Sequence, residues 1–453
     1  MLPSIAHEDF RTSFWPRVRE YAVPASMIET ATVRRRAGDW AGACAAAGFD
    51  VDLNLRAVAR GHGRELAARI RADLRSLAPD LLRWHMPRVA PDGLLRPGLT
   101  VPLARYDTDG GPAHLVVRTA PAWADAGQRI SLSLWSRSAA DAVRHPHPRP
   151  HRRFRLDLHR HLWDAGRAGE LQERAGAGPP GAQLPWEEPE FLACVPYGCA
   201  VDRWVAEARI LLGDEGRSAG RVLVRCGGRR RLLLELAADD ASIRTPTPAD
   251  TTGRLPVLPD AATWVLPDLE LLRTGAVEAD RLHPLVAAAL VPDHAATGPP
   301  RAPEQAGQPR LVECRGAQHR IGLVEGVLAP LDHDPAEIRR EELLVALTGT
   351  PLPCLRAIDE AHRRPHSLDG VRERLAHGDT AGALAVVEEL LGPEALLRTG
   401  PLRDELEAAA LRRVSYGLFR AGLAGPGPAW FRPRLNGRHS HGHRTHPRHA
   451  TAR

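Results

Sequence analysis

The 453-residue chain contains no lysine, so all 61 of its basic residues are arginine. That absence removes three mechanisms. A G-x-x-x-x-G-K-[ST] phosphate loop needs a lysine to reach the β- and γ-phosphates. A protein kinase needs the strand lysine that holds the nucleotide phosphates. Schiff-base and pyridoxal chemistry needs an amine nucleophile, and arginine stays protonated at neutral pH. The chain on its own is therefore expected to be no P-loop ATPase, helicase, kinase or pyridoxal enzyme, and no cofactor is expected. Heavy use of Ala, Gly, Pro and Arg accompanies the missing lysine, which fits GC-rich coding, as in a high-GC bacterium.

Long apolar runs are missing as well. The longest lies around LVAAALV at 285–291, far short of the ~18 residues of a membrane span. The opening MLPSIAHEDFRTSFWPRV has no apolar core behind a basic start, so no secretory signal is expected. Cysteine is sparse, with six residues at 44, 194, 199, 226, 314 and 354, of which only Cys194 and Cys199 are close together. That spacing is neither a disulfide framework nor a zinc pattern, and buried reduced thiols are the expectation. These features predict a cytoplasmic protein with no membrane partner. A charge imbalance is lacking too, except in the tail. Arg432 to Arg453 holds six arginines and no acid, and without those six the chain carries 55 basic and 55 acidic residues. The formal charge of +6 belongs to the tail rather than to a folded basic face.

With 43% apolar residues, the chain is long enough for two or three cores. Leu66, Ile70, Leu74, Leu77 and Leu81 recur at helical spacing, with Arg64, Arg69, Arg71 and Arg75 between them. GDWAGACA at 38–45 and GDTAGALA at 378–385 agree at six of eight positions. Each predicts a tight turn and an Asp-capped helix, an αα-hairpin used twice. Between 97 and 243 the period shifts to two, in LTVPLARY, AHLVVRT, RISLSLW, RFRLDLH and RLLLEL. Gly227-Gly228 reads as a two-residue hairpin turn, and one helix is expected near 200–212. Asp334, Pro335 and Glu337 mark a helix start after a further hairpin. The expected fold is α+β. It has a helical region over 1–92, a mostly antiparallel β-rich domain with one helix over 93–243, and a Pro-rich linker with a short apolar segment over 244–310. A hairpin with helices follows over 311–425, then a disordered Arg/His-rich tail over 426–453.

Two familiar letter patterns fail on context. Asp359-Glu360-Ala361-His362 spells the DEAH box of helicases, where the acidic pair ends a buried strand and holds the magnesium of a nucleotide. Here Leu352, Leu355, Ile358 and Ala361 recur every three residues, which predicts a helix. Its Leu355 and Ile358 stripe is expected to pack on the helix that begins at Asp334. GRSAG at 216–220 matches G-x-S-x-G, yet a helix precedes it and a strand follows, the reverse of a nucleophile elbow.

Three clusters hold candidate ligands. Segment 144–161 carries six arginines and one acid, and Arg144, Arg149, Arg152, Arg153 and Arg155 beside Phe154 and Trp163 suit phosphate contact and base stacking. His159 and His161 stand two apart, which on a strand directs both to one side with Asp157, a spacing suited to one metal. Asp332, His333 and Asp334 follow a predicted strand, where metal ligands often lie, and Asp334 also reads as the helix cap. No cluster completes a catalytic set. The leading expectation is a non-enzymatic accessory or scaffold protein acting through contacts with a protein partner. Nucleic-acid binding through 144–161 and the tail comes second, and a metal-dependent hydrolase using these histidines or the Asp332–Asp334 cluster comes third.

Overall fold

The computed structural model describes residues 14–124, 127–137, 145–176, 195–227, 230–237, 240–248, 250, 255–293, 310–348 and 351–424. Helices and several sheets make the fold α+β. Internal contacts divide the described residues into two compact units, one formed by those of 14–123 and 129–293, the other by 124, 127, 128 and those of 310–424. Elements are numbered below for helices of at least seven residues and strands of at least four.

The first unit opens with α1 (Trp15–Tyr21), α2 (Ala25–Arg36) and α3 (Trp40–Ala46), then β1 (Phe49–Asp52), α4 (Leu55–His62), α5 (Arg64–Ser76) and α6 (Pro79–His85). The predicted leucine stripe is buried throughout. It is divided between α5 and α6, because Pro79 takes the first position of a new helix. β2 (Thr100–Tyr106), β3 (Ala113–Thr119) and β4 (Ile130–Ser136) pair antiparallel, and β1 joins β4 in parallel with Phe49 opposite Ile130. β1 was not separable from the helical region in the sequence, since four residues are too few to reveal a period. Val101, Leu103, Leu115, Val117 and Leu132 of this sheet share one core with Leu66, Ile70, Leu74 and Leu81. A second sheet of β5 (Gly220–Arg225), β6 (Arg231–Leu236) and β7 (Ala241–Arg244) is covered by α7 (Trp204–Asp214), whose Trp204, Ala208 and Leu212 pack on Val222, Val224 and Leu234. The hairpin between β5 and β6 closes through Arg230 N–H on the Gly227 carbonyl, one residue beyond the turn read from the glycines.

Two sequence expectations fail here for physical reasons. RFRLDLH is not a strand but a pair of 3-10 turns, Leu156–Leu158 and Arg160–Leu162. The buried Trp163 indole N–H donates to the Leu156 carbonyl at 3.0 Å, a bond that curls the segment instead of extending it. The stretch read as a linker contains α8 (Pro267–Arg273) and α9 (Pro284–Leu290), which place Leu269, Leu271 and Val286 in the main core. Pro267 and Pro284 stand in the first turns of these helices, where a missing N–H costs nothing, so proline there marks helix starts.

A charged network lies inside this core. The Arg19 guanidinium donates to Asp268 at 2.7 Å and to the Trp84 carbonyl at 2.8 Å, and the Trp84 indole N–H donates to the other Asp268 oxygen at 2.9 Å. Asp80 pairs with His283 at 3.0 Å, 203 positions apart, and all of these side chains are buried.

The second unit starts with an antiparallel meander, β8 (Arg310–Cys314), β9 (Ala317–Val324) and β10 (Val327–Pro330). Helices α10 (Pro335–Thr348), α11 (Pro353–Arg363), α12 (Leu368–His377), α13 (Thr380–Leu391) and α14 (Pro401–Arg420) follow. The DEAH letters lie on α11, with Asp359 paired to Arg363 and Arg398. The buried stripe of α11 packs on the meander, where Cys354 and Ile358 meet Cys314 and Ile321, rather than on α10 as the sequence suggested. A second small core joins Val371, Leu375, Ala383, Val387, Leu391 and Leu402.

The repeated eight-residue motif builds the same joint in each unit. Gly38 and Gly378 take φ of 79° and 89°, a backbone state that favours glycine. The next residue, Asp39 or Asp379, donates its N–H back to Arg34 or Arg374 and ion-pairs with that same arginine. Its carboxylate then accepts the N–H of Gly42 at 2.8 Å or Gly382 at 2.9 Å, capping the second helix. A Cβ at Gly42 or Gly382 would collide with that carboxylate, which accounts for glycine at the third helical position.

Two stability measurements follow from this packing. Asp268→Ala leaves the Arg19 charge buried without its counter-ion and is expected to cost on the order of 3–5 kcal/mol in urea unfolding. Asp39→Ala and Asp379→Ala each remove a helix cap and are expected to cost about 1 kcal/mol, read in the same assay.

Candidate functional site

Segment 145–163 is fixed by its own backbone and by carboxylates from other elements. Thr100 holds it through its hydroxyl on the His147 carbonyl at 2.6 Å and its carbonyl on the His151 N–H at 2.8 Å. Of the predicted phosphate ligands, Arg153 is paired with Asp260, and Arg155 bridges Asp157 at 2.6 Å and Asp214 at 2.8 Å. Arg152 donates to the Leu255 carbonyl, Arg149 is exposed, and Arg144 lies outside the described residues. Arg160, which the sequence reading did not single out, bridges Asp73 at 2.5 Å and Asp164 at 2.9 Å. Phe154 and Trp163 are buried in the main core. Their rings therefore offer no face for base stacking, and the arrangement drawn from the sequence is corrected on that point.

The histidine pair is also turned inward. His159 Nδ1 lies 2.8 Å from the Arg155 carbonyl, and its Nε2 is 3.2 Å from Glu207. Glu207 is held at the same time by both arms of Arg174 at 2.7 Å and by Arg203 at 3.3 Å. Burial alone raises its pKa, but His159 and Arg174 outweigh that effect and keep Glu207 well below the usual carboxylate range. His161 is buried beside His159, with ring centroids 5.7 Å apart. Asp157, placed on the same strand face by the sequence reading, is bound to Arg155 instead. The 3-10 turns abolish the alternation on which that metal geometry depended. The result is a cluster in which the buried Glu207 is surrounded by the buried His159 and the half-buried Arg174 and Arg203.

The three residues of Asp332-His333-Asp334 separate in function. Asp332 accepts the Arg320 backbone N–H and its guanidinium, both at 2.7 Å, which holds its carboxyl at about 2. Asp334 accepts the Ala336 N–H at 2.8 Å, the helix-start role read from the sequence. His333 alone turns towards other metal-type donors. Its Nε2 lies 3.4 Å from Cys354 Sγ, and the donor atoms of Cys314, His333 and Cys354 all fall within 4.8 Å of one another. Burial, then the adjoining Cys314, push the Cys354 thiol up to about 11. Sequence reasoning passed over both cysteines because the three residues sit on β8, on the link before α10 and on α11, 40 residues apart at the extremes. The only local hint was Cys354 directly after the helix-starting Pro353.

No family model, curated protein or solved structure matches this chain. Among the described residues, no helix is long and apolar enough to cross a membrane.

The half-buried His151 and the buried His161 are expected to make the first unit sensitive to acid. Burial lowers His151 to about 4 and His161 to about 2, with neighbouring arginines or His159 acting in the same sense. Above about pH 6.5 both folded and unfolded chains hold these rings neutral, so neither ring affects stability. Below it the unfolded chain takes up protons that the folded chain refuses, so stability falls as pH falls. For His151 the loss ends near pH 4, and for His161 it continues to about 2. Thermal unfolding from pH 7 to 4.5 is expected to show a falling midpoint, and His161→Leu a shallower fall than the unaltered chain.

Proposed function

We propose that this protein is a non-enzymatic accessory or scaffold protein whose C-terminal unit binds a helical segment of a protein partner. One observation carries the reading. α14 has two apolar stripes, and only one of them is used inside the unit. Leu402, Leu406, Ala409 and Tyr416 form the packed stripe. Leu411, Val414 and Leu418 form the other, at 53%, 59% and 42% exposure, centred about 150° away around the helix at 3.6 residues per turn.

α10 follows the same rule, with Leu343 at 69% and Leu347 at 84% exposure on the side away from the half-buried Ile338 and Val345. An exposed leucine alone is ordinary, but repeated apolar residues along one face of a helix match the anchor spacing of helix-to-helix recognition. The α14 stripe runs over the eight residues from Leu411 to Leu418, about 10 Å of helix, which suits the ridge of one partner helix. A catalytic role draws no comparable support, since Glu207, Asp332 and Asp334 are each bound to arginine or backbone donors.

The test is a comparison of the full chain with a Leu411→Glu, Val414→Glu, Leu418→Glu variant. The variant is expected to keep its helical circular dichroism and thermal midpoint while losing a protein that co-purifies stoichiometrically from the native host and rebinds when purified. An unchanged set of co-purifying proteins overturns the reading. Concentration-dependent sedimentation of the chain alone, abolished in the variant, overturns it in favour of self-association.

A further inference from the structure

From the convergence of Cys314, His333 and Cys354 we infer that the C-terminal unit binds one zinc ion through two thiolates and one imidazole, tying the β-meander to α11. Three elements far apart in sequence deliver these donors to one point. Cys314 ends β8, His333 lies in the link between β10 and α10, and Cys354 occupies the first turn of α11. All three ligand atoms fall within 4.8 Å of one another, and both cysteines are fully buried. A tetrahedral zinc with bonds of about 2.3 Å to sulfur and 2.0–2.1 Å to nitrogen separates its sulfur and nitrogen ligands by about 3.6 Å. The observed His333 Nε2 to Cys354 Sγ distance is 3.4 Å.

The surroundings fit a metal better than a plain core. The other His333 nitrogen, Nδ1, faces the Glu337 carboxylate at 3.9 Å, and Glu337 is itself held by Arg315 at 2.6 Å. At that distance the carboxylate does not hydrogen-bond the ring, but its charge favours a proton on Nδ1 and leaves the Nε2 lone pair facing the sulfurs. His319 stacks on His333 with centroids 4.2 Å apart and planes within 12°, which limits rotation of the ring. Two soft sulfurs and an imidazole select zinc over magnesium or calcium, which need oxygen ligands.

The energetic reason for such a site is the size of this core. Among the described residues, Cys314, Ile321, Cys354 and Ile358 are its buried members, with a few partly covered neighbours. Four side chains leave little apolar area to fix a three-stranded meander against a helix, and small units of this kind commonly depend on a metal. Binding displaces one proton from each thiol and forms two Zn–S bonds and one Zn–N bond, with a water molecule in the fourth tetrahedral position and no change of oxidation state.

The test uses the full chain, reduced with a thiol-free phosphine, stripped with chelator and titrated with cobalt(II) as a spectroscopic substitute for zinc. Thiolate-to-cobalt charge-transfer bands are expected to saturate at one cobalt per chain, to disappear on adding one equivalent of zinc, and to be lost in Cys314→Ser and in Cys354→Ser. Histidines elsewhere in the chain can bind cobalt but cannot produce a sulfur band. His333→Cys guards against simple misfolding, because it restores a third ligand and is expected to keep the bands with greater intensity. The inference is overturned by a reduced chain that shows no thiolate band, or by bands that persist in both serine variants, which would assign them to the adjoining Cys199 and Cys226 of the first unit. It is equally overturned if Cys314 and Cys354 are recovered as a disulfide that zinc does not prevent.

Discussion

The first unit depends on the buried ion pair between Arg19 and Asp268, two residues 249 positions apart. Asp268 is fully buried and Arg19 nearly so, and Trp84 contributes a carbonyl to one and an indole N–H to the other. Taking both charges out of water is costly, and here the cost is offset by the carboxylate, the Trp84 carbonyl and the Trp84 indole N–H, although the buried Arg19 Nε has no hydrogen-bond partner among the described residues. α1, α6 and α8 must therefore come together in one arrangement, because any other leaves a charge without its partner. The Arg19 guanidinium also lies over the Trp84 ring at 4.3 Å, a cation–π contact that a strongly hydrated ammonium would serve less well.

Four further arginines each reach two carboxylates. Arg155 joins Asp157 to Asp214, Arg160 joins Asp73 to Asp164, Arg244 joins Glu235 to Asp250, and Arg315 joins Glu337 to Glu341. A planar fork with five donors reaches two carboxylates at once, whereas lysine is a point charge on a flexible stem. A chain without lysine thus has its balanced charges set out as two-carboxylate bridges. This is also why the arginine-rich segment near residue 150 is a structural strap, with Arg153 and Arg155 facing acids of the same unit.

The second unit is held differently. Its helical part repeats the Gly-Asp-x-Ala-Gly-Ala joint of the first unit, but its sheet rests on four buried side chains, two of them cysteines that meet a histidine. A small core with sulfur at its centre, and helices with apolar residues on their outer faces, belong together physically. The inside is too small to supply much stability by burial alone, and the outside retains apolar surface suited to covering by another protein.

Much of this was legible in the sequence because it depends on neighbours along the chain. Periodicity located α5, α7 and the strands β2 to β6 of the first unit, but neither β1 nor β7, each four residues long. Asp after Gly located both hairpins, and helical spacing with the missing lysine removed the DEAH reading of Asp359 to His362. What tertiary structure alone decided were the contacts between distant segments. His159 and Asp157 alternate like a strand in the sequence, but Trp163 curls them into turns and Arg155, Arg174 and Glu207 claim their polar groups. Pro267 and Pro284 look like linker residues until the helices they start are seen buried. His333 was visible as a candidate ligand, whereas Cys314 and Cys354 became its partners only when β8 and α11 met. Local rules act over one or two turns of backbone, so the sequence determines which elements form and where they stop. Sites assembled from separate elements are set by how those elements pack, and no spacing along the chain records that.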